Sequence, residues 1–185
     1  MMKSREEALK ILNKYVKNEN LKKHMYAVES AMRGYAKHYK EDQDWWGQVG
    51  LLHDFDYEKY PNVDDHPFKG AEILRNLGYE EEFIKTILAH ASHSNEPRNT
   101  LAKKVIYAVD ELCGLIVAIA LVKPNKKLDE VSVKSVRKKM KDKAFARQID
   151  REEMIQGAKE LEIELDKHIE IVLNSLNNIS DKLNL

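Results

Sequence analysis

The chain carries one cysteine, Cys113. A lone thiol excludes an intrachain disulfide and any cysteine-rich zinc module, and it suits a reducing compartment. Glycine and proline are nearly as scarce, with seven and four in 185 residues. That shortage of chain breakers argues against a turn-rich β-sandwich or barrel and favours long helices. Net charge is missing too, since 31 Lys and Arg face 31 Asp and Glu. No long hydrophobic run occurs: the longest uncharged apolar stretch is the 11 residues from Leu112 to Val122, whereas a membrane span needs about 20. Arg5, Glu6 and Glu7 stand where a signal peptide would be apolar. A soluble, cytoplasmic protein without a membrane partner is expected. Hydrophobic residues still make up 43% of the chain, enough at this length for one sizeable core and too many for global disorder.

What is present is helical periodicity nearly everywhere. Ser4 and Glu7 have capping-box spacing ahead of Ala8, Leu9, Ile11, Leu12, Tyr15 and Val16. Asn20 is placed to cap a second helix whose stripe includes Leu21, His24, Met25, Val28 and Met32. Asp42 or Asp44 opens a third helix, which runs to His53-Asp54. Beyond a break at Pro61, one helix is expected from Asp65 to Leu77, stopped by Gly78, and another from Glu80 to about His93. Asn99 or Thr100 starts an apolar helix to Val122, which Lys123-Pro124-Asn125 ends. Asp150 with Glu153 opens a long amphipathic helix to about Ile179. The expected fold is all-α. Residues 1–125 form a helical core; 126–185 add a basic segment and the long C-terminal helix, packed on the core or on a partner subunit of a homo-oligomer.

The zero net charge is a cancellation. Residues 123–147 hold ten Lys and Arg against Asp129, Glu130 and Asp142, so this stretch is +7 and the remainder −7. A solvated helical face ranks first as its explanation, attraction of a substrate second. Nucleic-acid binding ranks last, because Phe145 is the only aromatic residue interleaved with the basic ones.

Seven histidines are present. His24 shares a face with Leu21 and Val28, His90 with Phe83 and Ile87, and His53-Asp54 follows Val49, Leu51 and Leu52. Asp110 sits between Ile106 and Cys113 in the most apolar helix, with Glu111 free to point elsewhere. A carboxylate in such a stripe is costly unless paired or bound to a cation. Asp110 alone fits an ion pair with Lys22 or Arg75, and one histidine alone fits a hydrogen-bonded core residue. Together these residues are the ingredients of a metal site with nitrogen and oxygen ligands. His38 and His168 have charged neighbours in sequence and read as surface residues. Cys113 reads as helix packing.

The ordered set His24, His53-Asp54 and Asp110 resembles the HD superfamily of metal-dependent phosphohydrolases, specifically its small predicted-hydrolase group. The resemblance covers about residues 20–125 and implies an HD-domain helical bundle with a C-terminal helical extension. It implies that His24, His53, Asp54 and Asp110 hold a first metal, with Asp54 bridging to a second completed by His66 and His90. One or two divalent ions (Mn, Fe, Co, Ni or Zn) are expected as cofactor. The implied function is hydrolysis of a phosphate ester, such as a nucleotide, by metal-activated water. A di-iron oxygenase and a non-catalytic regulatory scaffold are the alternatives. Asp54, Glu58 and His93 are the expected catalytic residues, and Arg98, Lys123 and Lys127 the expected contacts to a small phosphorylated substrate. Asp56 reads equally as a cap or a local partner.

Overall fold

The computed structural model describes residues 3–185; Met1 and Met2, at the start of the N-terminal stretch, lie outside them. Ten α-helices follow one another, and among the described residues there are no strands. They are α1 (Arg5–Tyr15), α2 (Glu19–Tyr39), α3 (Gln43–Leu52), α4 (Phe68–Asn76), α5 (Glu81–Leu88), α6 (Leu101–Leu121), α7 (Val133–Met140), α8 (Arg151–Glu160), α9 (Leu165–Asn177) and α10 (Ser180–Leu183). Among the described residues no helix is long and apolar enough to cross a membrane.

Side-chain caps define most starts. Ser4 and Glu7 form the reciprocal capping box of α1, and Asp42, Thr100 and Asp150 accept backbone N–H groups at the starts of α3, α6 and α8. The cap of α2 is Asn18, two residues before the expected Asn20. Helices α4 and α5 are shorter than their stripes implied, and Ser92–Ser94 forms a separate 3-10 turn.

Helices α2 and α6 form the centre. Helix α2 packs on α3, α6 and α9, and α6 also carries α8 on its surface. The buried face of α2 comprises Met25, Val28, Met32 and Tyr35, and that of α6 includes Ile106, Val109, Leu112 and Ile116. Burying such side chains contributes roughly 1.5–3 kcal/mol each against conformational entropy. Cys113 is fully buried among them.

Two expectations about the C-terminal part change. The single long helix is two: Glu162 takes a left-handed conformation at φ 54°, which lets the chain turn between α8 and α9. His168 is fully buried rather than exposed. Its Nδ1 accepts from the Tyr35 hydroxyl at 2.5 Å, and its Nε2–H donates to the Ala108 carbonyl at 3.0 Å. The ring therefore ties α9 to both central helices.

Burial pushes His168 down to about 4, only partly opposed by its bond to Ala108. The unfolded chain then takes up a proton near pH 6.5 that the folded chain refuses until about pH 4. Stability present above pH 6.5 is lost as pH falls through that window. Urea unfolding should show this histidine removing about 2 kcal/mol between pH 7 and pH 5. His168→Gln, which cannot titrate, should show a correspondingly shallower pH dependence; an unchanged slope contradicts the assignment.

Candidate metal centre

The local sequence explains why the polar residues converge. His53 and Asp54 follow α3 directly, while Leu51, Leu52 and Phe55 are fully buried and draw the dipeptide inward. The chain then makes turns through 54–67 and returns His66 to the same spot, immediately before a cis peptide to Pro67. His90 lies just past the end of α5, His24 in the first turns of α2, and Asp110 midway along α6.

Two groups result. His24, His53 and Asp54 form one, Asp54, His66 and His90 the other, and within each the ligand-type atoms all lie within 4.8 Å of one another. Asp54 belongs to both. Its Oδ1 is 3.3 Å from His66 Nε2 and 3.1 Å from His90 Nε2, and its Oδ2 is 3.6 Å from His53 Nε2. Asp110 Oδ1 closes the first group, 2.9 Å from His24 Nε2 and 3.4 Å from His53 Nε2.

The inner ring is held by an outer one. His53 Nδ1–H donates to the Gly50 carbonyl at 2.8 Å, and His90 Nδ1–H to the Ile87 carbonyl at 2.6 Å. Each bond turns Nε2 toward the cluster, the orientation that metal-ligating imidazoles require. His66 Nδ1 instead meets the Asp56 carboxylate at 2.9 Å, while the Gly70 N–H donates to the other Asp56 oxygen at 2.7 Å. A Cβ on Gly70 would stand 2.8 Å from Asp56 Cγ, so only glycine allows the α4 backbone this close.

Charge in the cluster is unusual. Burial pushes the His53 imidazolium down, but Asp54 and Asp110 outweigh it and raise the ring to about 9. Burial opposes charge on His66 too, and the adjacent Asp54 and Asp56 carboxylates raise it to about 10. Asp54 and Asp110 lie well below the usual carboxylate range: burial favours their neutral forms, and the surrounding imidazoles more than reverse that. Buried His53 Nε2 and Asp54 Oδ1 nevertheless make no hydrogen bond. Orphaned buried donors and acceptors are costly, and imidazole nitrogens beside carboxylate oxygens at these separations suit a divalent transition ion. The residues fit such an ion.

Other expected site residues are elsewhere. Glu58 is exposed, and its Oε2 accepts the Lys17 and Asn18 N–H groups at 2.8 and 2.9 Å, which ties the α1–α2 connector to the loop instead of serving the cluster. His93 is exposed and donates from Nε2 to the His66 carbonyl at 2.8 Å, so it props the segment that bears His66. Arg98 is committed to Glu160 by two bonds of 2.7 and 2.8 Å and stacks over Tyr107, which leaves no free fork for phosphate. Lys123 and Lys127 lie past the far end of α6, roughly 17 Å along the axis from Asp110. Glu111 faces Glu153 and the Asp150 amide; burial, then Asp110, raises it to about 8.

Sequence reasoning left the role of Asp56 open and gave Tyr57 none. Fully buried Asp56 orients His66, and Tyr57, 44% exposed, sets its ring edge-on to His66 with centroids 5.2 Å apart. No local pattern announced Asp56, since its partners lie 10 and 14 residues away. Asp56→Asn should keep the fold but weaken the metal bound by His66 and His90 by about 10–100-fold, leaving the His24–His53 ion in place. Titration with cobalt, followed by its ligand-field absorption, checks this; equal weakening of both ions contradicts it.

No curated protein and no solved structure matches the chain. A family model described as HD domain does match, over residues 21–115. Those residues span α2 to the middle of α6 and contain all six clustered histidines and aspartates of the two groups. The chain belongs to the HD domain family.

Proposed function

We propose that the chain is a metal-dependent phosphohydrolase acting on a small phosphate ester, with a nucleotide as one such substrate. The observation that carries this reading is Asp54, shared between two groups of potential ligands that sit side by side. HD domains are typically metal-dependent phosphohydrolases, and the clustered residues are compatible with metal binding.

His24, His53, Asp54 and Asp110 would hold one ion, and Asp54, His66 and His90 a second. When bound, such ions supply Lewis acidity toward phosphoryl oxygens and make water a better nucleophile near neutral pH. The chain does the positioning. The Gly50 and Ile87 carbonyls fix His53 and His90 with Nε2 inward. Asp56 holds the His66 ring and keeps it electron-rich, and the His93 bond to the His66 carbonyl steadies that segment. Leu51, Leu52 and Phe55, beside His53-Asp54 in sequence, and Ile106, one helical turn before Asp110, are fully buried. Tyr57 offers an exposed planar face beside His66 for the body of the substrate. No side-chain nucleophile is required, in keeping with Cys113, whose thiol burial holds well above its ordinary range.

Protein reconstituted separately with manganese, cobalt, iron and zinc should release phosphate from members of a phosphoester panel, zinc included. Oxygen-dependent turnover with iron alone would favour a di-iron oxygenase. Metal bound at both groups without turnover of any ester would leave a regulatory scaffold.

A further inference from the structure

Most cations of the basic stretch are exposed, as on a solvated face, and some of them also line a cavity. Between α7 and α8 the chain folds around a cavity of about 420 Å³, within the usual size of small-molecule sites. Lys141, Lys143 and Arg147 line it, and all three are exposed and outside every ion pair found among the described residues. Arg137 and Arg151 add two more cations; Glu152 is the only acid in the lining. Arg137 has a counter-ion, Asp166, at 3.3 Å. The remaining cations share one small space with a single carboxylate, so positive charge is in excess there and an anion from outside is attracted.

The cavity is also held in shape. The Arg151 guanidinium donates to the carbonyls of Ala146 at 2.6 Å, Ile149 at 2.5 Å and Phe145. These bonds wrap residues 145–149 around one side chain, with Ala146 in the left-handed region at φ 44°. Arg151 Nε remains buried without a partner. Met140, Ile149 and Ile155 supply an apolar wall next to the cations. An inorganic ion would leave that wall uncovered, whereas a phosphate attached to a planar or apolar body would use both halves.

We propose that this cavity is a binding site for a small organic phosphate, of the nucleoside diphosphate class, separate from the metal centre. Its phosphates meet Lys141, Lys143 and Arg147, and its base lies on Met140, Ile149 and Ile155. None of the clustered histidines or aspartates lines the cavity. The two places are nonetheless joined: Ile149 Cδ1 is 3.5 Å from where a Gly114 Cβ would stand, one helical turn beyond Asp110. An occupant pressing on Ile149 therefore bears on the helix that carries a proposed metal ligand, as an effector does.

The test is calorimetric titration of the full chain with adenosine 5′-(α,β-methylene)diphosphate, which phosphohydrolases cannot cleave at the bridge. Wild type is compared with Lys143→Ala/Arg147→Ala and with Asp54→Asn, circular dichroism confirming that each is folded. Both cations are exposed, so their removal leaves the core intact. Binding should persist in Asp54→Asn and weaken about a hundredfold in the double variant, roughly tenfold per cation. Adenosine and pyrophosphate, each lacking half of the ligand, should both bind at least about tenfold more weakly. Binding lost in Asp54→Asn and kept in the double variant would place the ligand at the metal centre and overturn the proposal. So would absence of binding at millimolar concentration, or tighter binding of a single-stranded oligonucleotide than of the nucleotide. Whether the metal centre hydrolyses esters is read separately, from phosphate release.

Discussion

Asp54→Asn should empty both halves of the metal centre at once, with metal per chain falling from two to none. Asp54 is the one residue common to the His24–His53 and His66–His90 groups, with an oxygen between 3.1 and 3.6 Å from each of three ring nitrogens. Loss of a partner outside the ligand sphere already costs about 10–100-fold in affinity, so a shared carboxylate ligand costs more than about a hundredfold. Phosphate release should fall by at least about a thousandfold, the equivalent of several kcal/mol of lost charge stabilisation. His24→Ala provides the contrast. His24 touches only the first group, so its loss should take metal content from two to one. Elemental analysis after gel filtration reads both results; one ion retained by Asp54→Asn would mean that the carboxylate does not bridge.

Gly50→Ala should destabilise the fold by about 3 kcal/mol, although it adds a single methyl group. Helices α2 and α3 cross so closely that a Cβ there would stand 2.7 Å from the Val28 oxygen, 2.8 Å from its carbonyl carbon and 2.9 Å from Glu29 Cα. These are backbone atoms and cannot rotate away, so the two helices must separate. Val28 is one turn from His24, and the Gly50 carbonyl receives the His53 Nδ1–H. The same separation therefore pulls His24 from His53, and metal affinity should fall with stability. Gly114→Ala is the matched control: its Cβ meets Ile149 at an ordinary 3.5 Å, and alanine favours helix over glycine by about 1 kcal/mol. Urea midpoints should move in opposite directions for the two variants. Equal stability of Gly50→Ala and the parent would contradict the close crossing.

Much of this arrangement is legible in the sequence because local chemistry decides it. Ser4, Asp42, Thr100 and Asp150 cap helices as their spacing implies. The polar residues in apolar stripes do converge, since a buried charge survives only beside its partner. The failures have physical causes. His168 read as exposed because Asp166 and Lys167 precede it, but its helical neighbours Leu165, Ile171 and Val172 are apolar, and they share its face. The break at Glu162 had a signal as well. Leu161-Glu162-Ile163-Glu164-Leu165 alternates with a period of two, which a continuous amphipathic helix does not.

Charge and nearness in sequence point to Arg98, Lys123 and Lys127, and neither specifies what a long side chain meets after folding. Arg98 finds Glu160, 62 residues away. The basic segment showed the same gap from the other side. Its charge was plain, but not the turn through 141–149 that gathers Lys141, Lys143 and Arg147 around one cavity, because Arg151 creates that turn by binding three carbonyls.

The central claim is that Asp54 sits between two divalent ions. Crystals grown with cobalt, with diffraction recorded on either side of the cobalt absorption edge, test it most directly. Two anomalous peaks about 3.5–4 Å apart are predicted on either side of the Asp54 carboxylate, one facing His24, His53 and Asp110, the other His66 and His90. No peak within bonding distance of Asp54 would contradict it.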